Sequence, residues 1–79
     1  IVINAGADIN NRGNIVSDYT LSVKTAGNIY NYLNMLTYGV AGVTANNVTN
    51  SGQDAVFGGL YGMELITNKV TNTGTIVGM

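Results

Sequence analysis

The chain has 79 residues, of which 9% are charged, and a formal net charge of -1. Such a balance draws neither nucleic acid nor an anionic membrane by Coulomb forces, and 46% hydrophobic residues exclude ordinary disorder. The absence of Cys and His excludes disulfides, thiolate metal sites and histidine-based catalysis.

From the N-terminus, Ile1-Val2-Ile3 sets apolar residues two apart, the spacing of a half-buried strand. Ile9-Asn10-Asn11-Arg12-Gly13-Asn14-Ile15 follows, and its phrase then returns. Leu21-Ser22-Val23 precedes a second copy, Ile29-Tyr30-Asn31-Tyr32-Leu33-Asn34-Met35, with leucine where the first copy has glycine. Ala41 and Val43 precede a third, Val48-Thr49-Asn50-Ser51-Gly52. Met63-Glu64-Leu65 precedes the fourth, Val70-Thr71-Asn72-Thr73-Gly74-Thr75-Ile76. The asparagines Asn11, Asn31, Asn50 and Asn72 recur at spacings of 20, 19 and 22 residues. A fixed period near 20 residues signals a solenoid. Val, Ile, Thr and Tyr dominate the apolar pairs, while Asn and Gly fall between them at turn positions. The expected fold is therefore all-β: four coils of 19–22 residues, stacked in parallel register about 4.8 Å apart. The whole of 1–79 reads as a single segment of this kind. Because it begins at Ile1 and stops at Met79 in mid-phrase, it is expected to be an excerpt of a longer rod.

Four inward ladders follow from the period. They are Ile1, Leu21, Ala41 and Met63; Ile3, Val23, Val43 and Leu65; Ile9, Ile29, Val48 and Val70; and Ile15, Met35 and Ile76. Ala55 is the expected third-coil member of the last, with Asp54 looped out. The asparagine column should hydrogen-bond to itself and to turn backbone along the stack. Gly13, Gly52 and Gly74 are expected at the same corner with positive φ. Leu33 interrupts that glycine column, so the second coil either turns differently there or bulges. The longer spacing after Asn50 places an outward loop at 53–62, around the glycine-dense run Phe57-Gly58-Gly59-Leu60-Tyr61-Gly62.

No residue pattern supports catalysis. Asp8, Asp18, Asp54 and Glu64 fall at different phases of the repeat, and Arg12, Lys24 and Lys69 are too few for a basic patch; all are read as solvated. The glycine run lacks the Lys and Ser or Thr of a phosphate loop, and the repeats lack the Asp of a calcium-binding roll. Asn47-Val48-Thr49 is formally a glycosylation sequon, but it lies inside the repeating phrase and is assigned to structure. The alternation of Thr71, Thr73 and Thr75 is not repeated in other coils, which rejects an ice-binding face. Strand alternation turns Tyr30 and Tyr32 outward, where they could join Phe57 and Tyr61 in a contact surface or pack on neighbouring rows.

Alternating apolar pairs followed by Ala-Gly-x-Ile-x-Asn-x-Gly-x-Ile resemble the haemagglutinin repeats of large two-partner secreted proteins. Residues Ala5-Gly6-Ala7-Asp8-Ile9-Asn10-Asn11-Arg12-Gly13-Asn14-Ile15 carry the likeness. So do Thr44-Ala45-Asn46-Asn47-Val48-Thr49-Asn50-Ser51-Gly52 and Thr67-Asn68-Lys69-Val70-Thr71-Asn72-Thr73-Gly74-Thr75-Ile76, with Ala-Asn-x-Val or its like in place of Ala-Gly-x-Ile. Leu33 and the 53–62 insertion depart from the pattern. The resemblance implies a right-handed parallel β-helix at the cell surface, exported across a Gram-negative outer membrane by a dedicated partner transporter. The family includes filamentous haemagglutinin adhesins and contact-dependent growth inhibition proteins.

The expected function is accordingly structural: an extracellular rod that holds a distal binding or toxin region away from the cell. Its expected partners are neighbouring coils of the parent chain, the transporter during export, and a receptor on a host or neighbouring bacterial cell. No cofactor is implied, no nucleic acid is engaged, and an enzyme is the class least supported. The alternative is a direct receptor-binding module using the outward tyrosines. A functional amyloid fits less well, since the chain has a single glutamine, Gln53, where curli-like repeats carry regular Gln columns. A detached four-coil piece should be stable only with more coils, a cap or a partner.

Overall fold

Alternation at a two-residue spacing, interrupted by Asn and Gly corners, folds the chain into short strands whose residues alternate between inward and outward faces, Leu21 and Val23 inward and Ser22 and Lys24 outward in the longest of them. The computed structural model describes residues 1–78. Among these are twelve strands and no helix. The first coil holds β1 (Val2–Ala5), β2 (Ile9–Asn11) and β3 (Asn14–Ser17), and the second β4 (Thr20–Thr25), β5 (Ile29–Asn31) and β6 (Asn34–Thr37). The third holds β7 (Val40–Thr44), β8 (Asn47–Asn50) and β9 (Val56–Gly59), and the fourth β10 (Gly62–Ile66), β11 (Lys69–Asn72) and β12 (Thr75–Val77).

Equivalent strands of successive coils pair in parallel and build three four-stranded sheets: β1-β4-β7-β10, β2-β5-β8-β11 and β3-β6-β9-β12. This is the β-helix expected from the repeat, with four turns. Ile3, Val23, Val43 and Leu65 stand in one register column, and Ile9, Ile29, Val48 and Val70 in another. Leu21, Ala41 and Met63 likewise align. Rungs of the two middle coils are buried, with Leu21, Val23, Ile29, Met35, Ala41, Val43, Val48 and Phe57 at the centre. The same columns are only half-buried or exposed in the first and last coils, because those coils are covered on one side alone.

The fourth ladder differs from expectation. Phe57, not Ala55, pairs in register with both Met35 and Ile76. The corner between the second and third strands has two residues in coils one, two and four, but five, 51–55, in coil three. Three added residues carry the chain out and back, so the next inward position of the strand falls on Phe57. The outward loop is thus 51–55, and 56–59 is a strand rather than loop. Its odd-numbered Phe57 faces inward at 0% exposure.

The corner glycines also differ. Gly52 has φ +111° but belongs to the extra loop, and Gly13 and Gly74 do not have positive φ. The residues directly before the third strand of each coil are Gly13, Leu33, Ala55 and Gly74. That position has ordinary backbone, which is why Leu33 fits there without a bulge. Only Gly74 is compulsory, since a Cβ there would collide with the carbonyl oxygens of Ala55 and Gly52 in the loop below. At Gly13 a Cβ would meet nothing within 4 Å. Gly13→Ala is therefore expected to be neutral or to stabilise by about 0.5 kcal/mol, and Gly74→Ala to destabilise by more than about 1 kcal/mol. Urea denaturation of the two variants side by side measures the contrast.

Candidate functional site

Each coil brings one asparagine to the corner after its second strand, at the last strand residue, where the side chain points inward. Asn31 and Asn50 are fully buried, and Asn11 nearly so. Asn11 Nδ2 donates to Asn31 Oδ1 at 2.9 Å, Asn31 Nδ2 to Asn50 Oδ1 at 2.8 Å, and Asn50 Nδ2 to Asn72 Oδ1 at 2.9 Å. The four expected residues thus form one continuous column.

The same nitrogens also bind backbone, in a repeated pattern. Asn11 Nδ2 reaches Gly13 O in its own corner and Asn34 O in the next coil; Asn31 Nδ2 reaches Leu33 O and Val56 O; Asn50 Nδ2 reaches Ala55 O and Thr75 O. An amide has two N–H bonds, so one of them is shared between acceptors. No buried side-chain nitrogen or oxygen among the described residues lacks a partner. Shorter amide pairs reinforce other edges of the stack. Asn34 donates to Asn14, Asn47 to Asn28 and Asn68 to Asn46. Asn47, the sequon residue, makes its bond from the outer face of β8, half-buried.

The proposed contact residues do not come together. Tyr30 lies mid-strand in β5 between buried Ile29 and Asn31, and faces outward, half-buried. Tyr32 occupies the next corner and packs under Arg12, whose guanidinium carbon is 4.3 Å from the ring centroid. That is a contact with the neighbouring row, worth about 0.5–1 kcal/mol at an exposed site. Phe57 is in the core and leaves the set, because the three-residue insertion changes its phase. Tyr61 sits at the corner between β9 and β10, one strand away from Tyr32 around the coil.

That other corner joins to Tyr61 three residues not expected in the contact surface, Tyr19, Tyr38 and Leu60. Tyr19 and Tyr61 are 83% and 85% exposed, and Tyr38 and Leu60 are exposed beside them. All four occupy the two-residue corners that follow the third strand of coils one, two and three. Their signal was their position: two residues between strands, outside every inward column. Elsewhere an open groove lined by Asn4, Ala5, Gly6, Lys24, Thr25 and Ala26 presents Lys24 as its single charged side chain. Among the described residues no group of three or more His, Cys, Asp or Glu could hold a metal ion.

No protein-family model, curated protein or solved structure matches the chain.

Removing the middle of the column should cost more than removing its end. Asn31→Leu removes one donor from the Leu33 and Val56 carbonyls and leaves the buried Oδ1 of Asn50 without its partner, and should destabilise by at least about 2 kcal/mol. Asn72 is exposed, and water can replace it, so Asn72→Leu should cost under about 1 kcal/mol. Equal losses in denaturant titrations would contradict the column's role in burial.

Proposed function

We propose that the chain is a structural segment of an extracellular β-helical rod, part of a large secreted adhesin or contact-dependent growth inhibition exoprotein. The observation that carries this reading is the unbroken register of all three sheets through four coils, with apolar rungs exposed at both ends. A stack of this kind transmits length: each coil adds about 4.8 Å, and its stability grows by neighbour contacts. The likeness of its corner phrases to haemagglutinin repeats supports export through an outer-membrane partner transporter and display at the cell surface. In that setting the rod sets the distance between the cell and a distal binding or toxin region, and its partners are the coils before and after it.

A second reading rests on the aromatic corner. Tyr19, Tyr38, Leu60 and Tyr61 form an exposed apolar row on successive coils, and exposed aromatics are enriched at binding surfaces. The segment would then touch a receptor directly.

Two manipulations of the secreted parent protein separate the readings. Inserting five tandem copies of the segment should lengthen the rod by roughly 95 Å in electron micrographs, at about 4.8 Å per coil, with attachment retained. Replacing Tyr19, Tyr38 and Tyr61 by Ser should leave attachment unchanged if the segment is a spacer. Loss of attachment at normal export and rod length would instead establish the contact role.

A further inference from the structure

We propose that the exposed aromatic edge binds an arginine side chain presented by a partner protein, held between Tyr19 and Tyr61 with Asp18 as its counter-charge. The inference deepens the contact reading above, and rests on its view of this edge as a binding surface; what it adds is the chemistry of the occupant.

The corners that join one coil to the next stack as two columns. Ser17 pairs with Thr37 and Thr37 with Gly59, while Thr20 pairs with Val40 and Val40 with Gly62. Asp18, Tyr38 and Leu60 therefore form one column, and Tyr19, Gly39 and Tyr61 the other. Backbone bonds fix both: Tyr38 N–H donates to Ser17 O at 2.9 Å, and Tyr61 N–H to Gly39 O at 3.0 Å. Ser17 Oγ and Thr37 Oγ1 accept the N–H groups of Tyr19 and Gly39, so each corner is braced from the end of its own strand. In the second column the middle residue has no side chain. It cannot have one, because a Cβ on Gly39 would run into the Tyr19 carbonyl oxygen. Tyr19 and Tyr61 thus stand two rises apart, about 9.6 Å, across an empty floor. A flat group held against two ring faces needs about 7–8 Å, two van der Waals contacts, so a slight lean of the two exposed rings closes on it. Both walls and the floor belong to corners within this chain, and the edge faces away from the stack axis. Coils before or after this segment leave the gap in place.

Charge selects the occupant. Asp18 is exposed beside Tyr19, and Glu64 is exposed on β10, three residues after Tyr61. The three basic side chains lie elsewhere: Arg12 over Tyr32, Lys24 near the far end of β4, and Lys69 in β11. Aromatic faces flanked by carboxylates attract a cation. The chain itself shows which cation suits such a ring. At the corner after the second strand, Arg12 lies one coil below Tyr32 and supplies the guanidinium that stacks on it, 4.3 Å from the centroid. At the aromatic edge the residue one coil below Tyr38 is Asp18, so the chain supplies the counter-charge and not the cation. A guanidinium is flat, stacks on aromatic rings and presents a fork of N–H groups that one carboxylate can accept; an ammonium is a hydrated point charge with no plane to stack. The arginine therefore lies between Tyr19 and Tyr61 with its N–H groups turned to Asp18, and Tyr38 and Leu60 flank its aliphatic stem.

Photo-crosslinking on the secreted parent protein tests this. The probe is an acetylated, amidated pentapeptide with two arginines around a diazirine-bearing residue, and labelled positions are mapped by mass spectrometry. The expected result is labelling within 17–20, 37–40 or 59–62. Replacing the arginines by citrulline keeps their shape and removes their charge, and should lower the yield at these corners roughly fivefold to thirtyfold. Lysine should lower it several-fold. Asp18→Asn and Tyr61→Ser should each lower it several-fold; both side chains are exposed, so strand content by circular dichroism stays that of the parent. Tyr32→Ser, at the corner that Arg12 already covers, should leave the yield unchanged. Equal labelling by the citrulline or lysine peptide overturns the proposal. So does a label that falls outside these corners, that ignores Asp18→Asn and Tyr61→Ser, or that drops equally with Tyr32→Ser. Loss of attachment in the tyrosine variants described above, with labelling indifferent to arginine, would keep the contact role and overturn this assignment alone. Arginine-dependent labelling with attachment unchanged would remove the receptor role and keep the arginine site.

Discussion

A primary amide buried in an apolar stack must find partners for two N–H bonds and a carbonyl, or it costs more than it contributes. In this chain the full set of partners exists only when another coil lies one rise away. Asn31 shows the constraint most fully: it accepts from Asn11 below, donates to Asn50 above, and holds the Leu33 and Val56 carbonyls at the corner. The asparagine thus serves two ends at once. It turns the chain, and it keeps adjacent coils in one register, because a slip of one residue would pull every amide off its acceptors.

Around that line the coils tolerate irregularity, provided it is confined to corners. Coil three adds three residues to its second corner, and coils three and four drop one from the first, yet strand register is kept throughout. Ala55 supplies the carbonyl that Gly13, Leu33 and Gly74 supply elsewhere, so the amide column passes the insertion intact. The accommodation appears one coil later, at Gly74, where the bulky loop below leaves no room for a Cβ. Phe57 fills the core volume that Met35 and the isoleucines occupy in the other coils.

The division between inside and outside also organises the surface. In β4, β5 and β8 the inward positions hold Leu, Val, Ile, Asn and Thr25, and the outward positions hold Thr, Ser, Lys, Asn47 and half-covered Tyr30. Aromatics escape this cover only at the corner between the third strand of one coil and the first strand of the next. Tyr19, Tyr38, Leu60 and Tyr61 gather there, on corners whose backbones stack on one another while these side chains stay exposed. The strand faces and the exposed aromatic edge thus arise from the same repeat.

The period, the β class, three of the four ladders and the asparagine column could be read from residues alone. Each depends on local alternation or on one residue type recurring at one spacing, and a stack converts equal spacing into contact. Where the insertion's loop closes, which corner glycine is obligatory and which aromatics meet solvent were settled only in three dimensions. Those outcomes depend on how neighbouring coils fill space: Phe57 entered the core because strand β9 began three residues late, and Gly74 became irreplaceable because a loop from another coil lies against it.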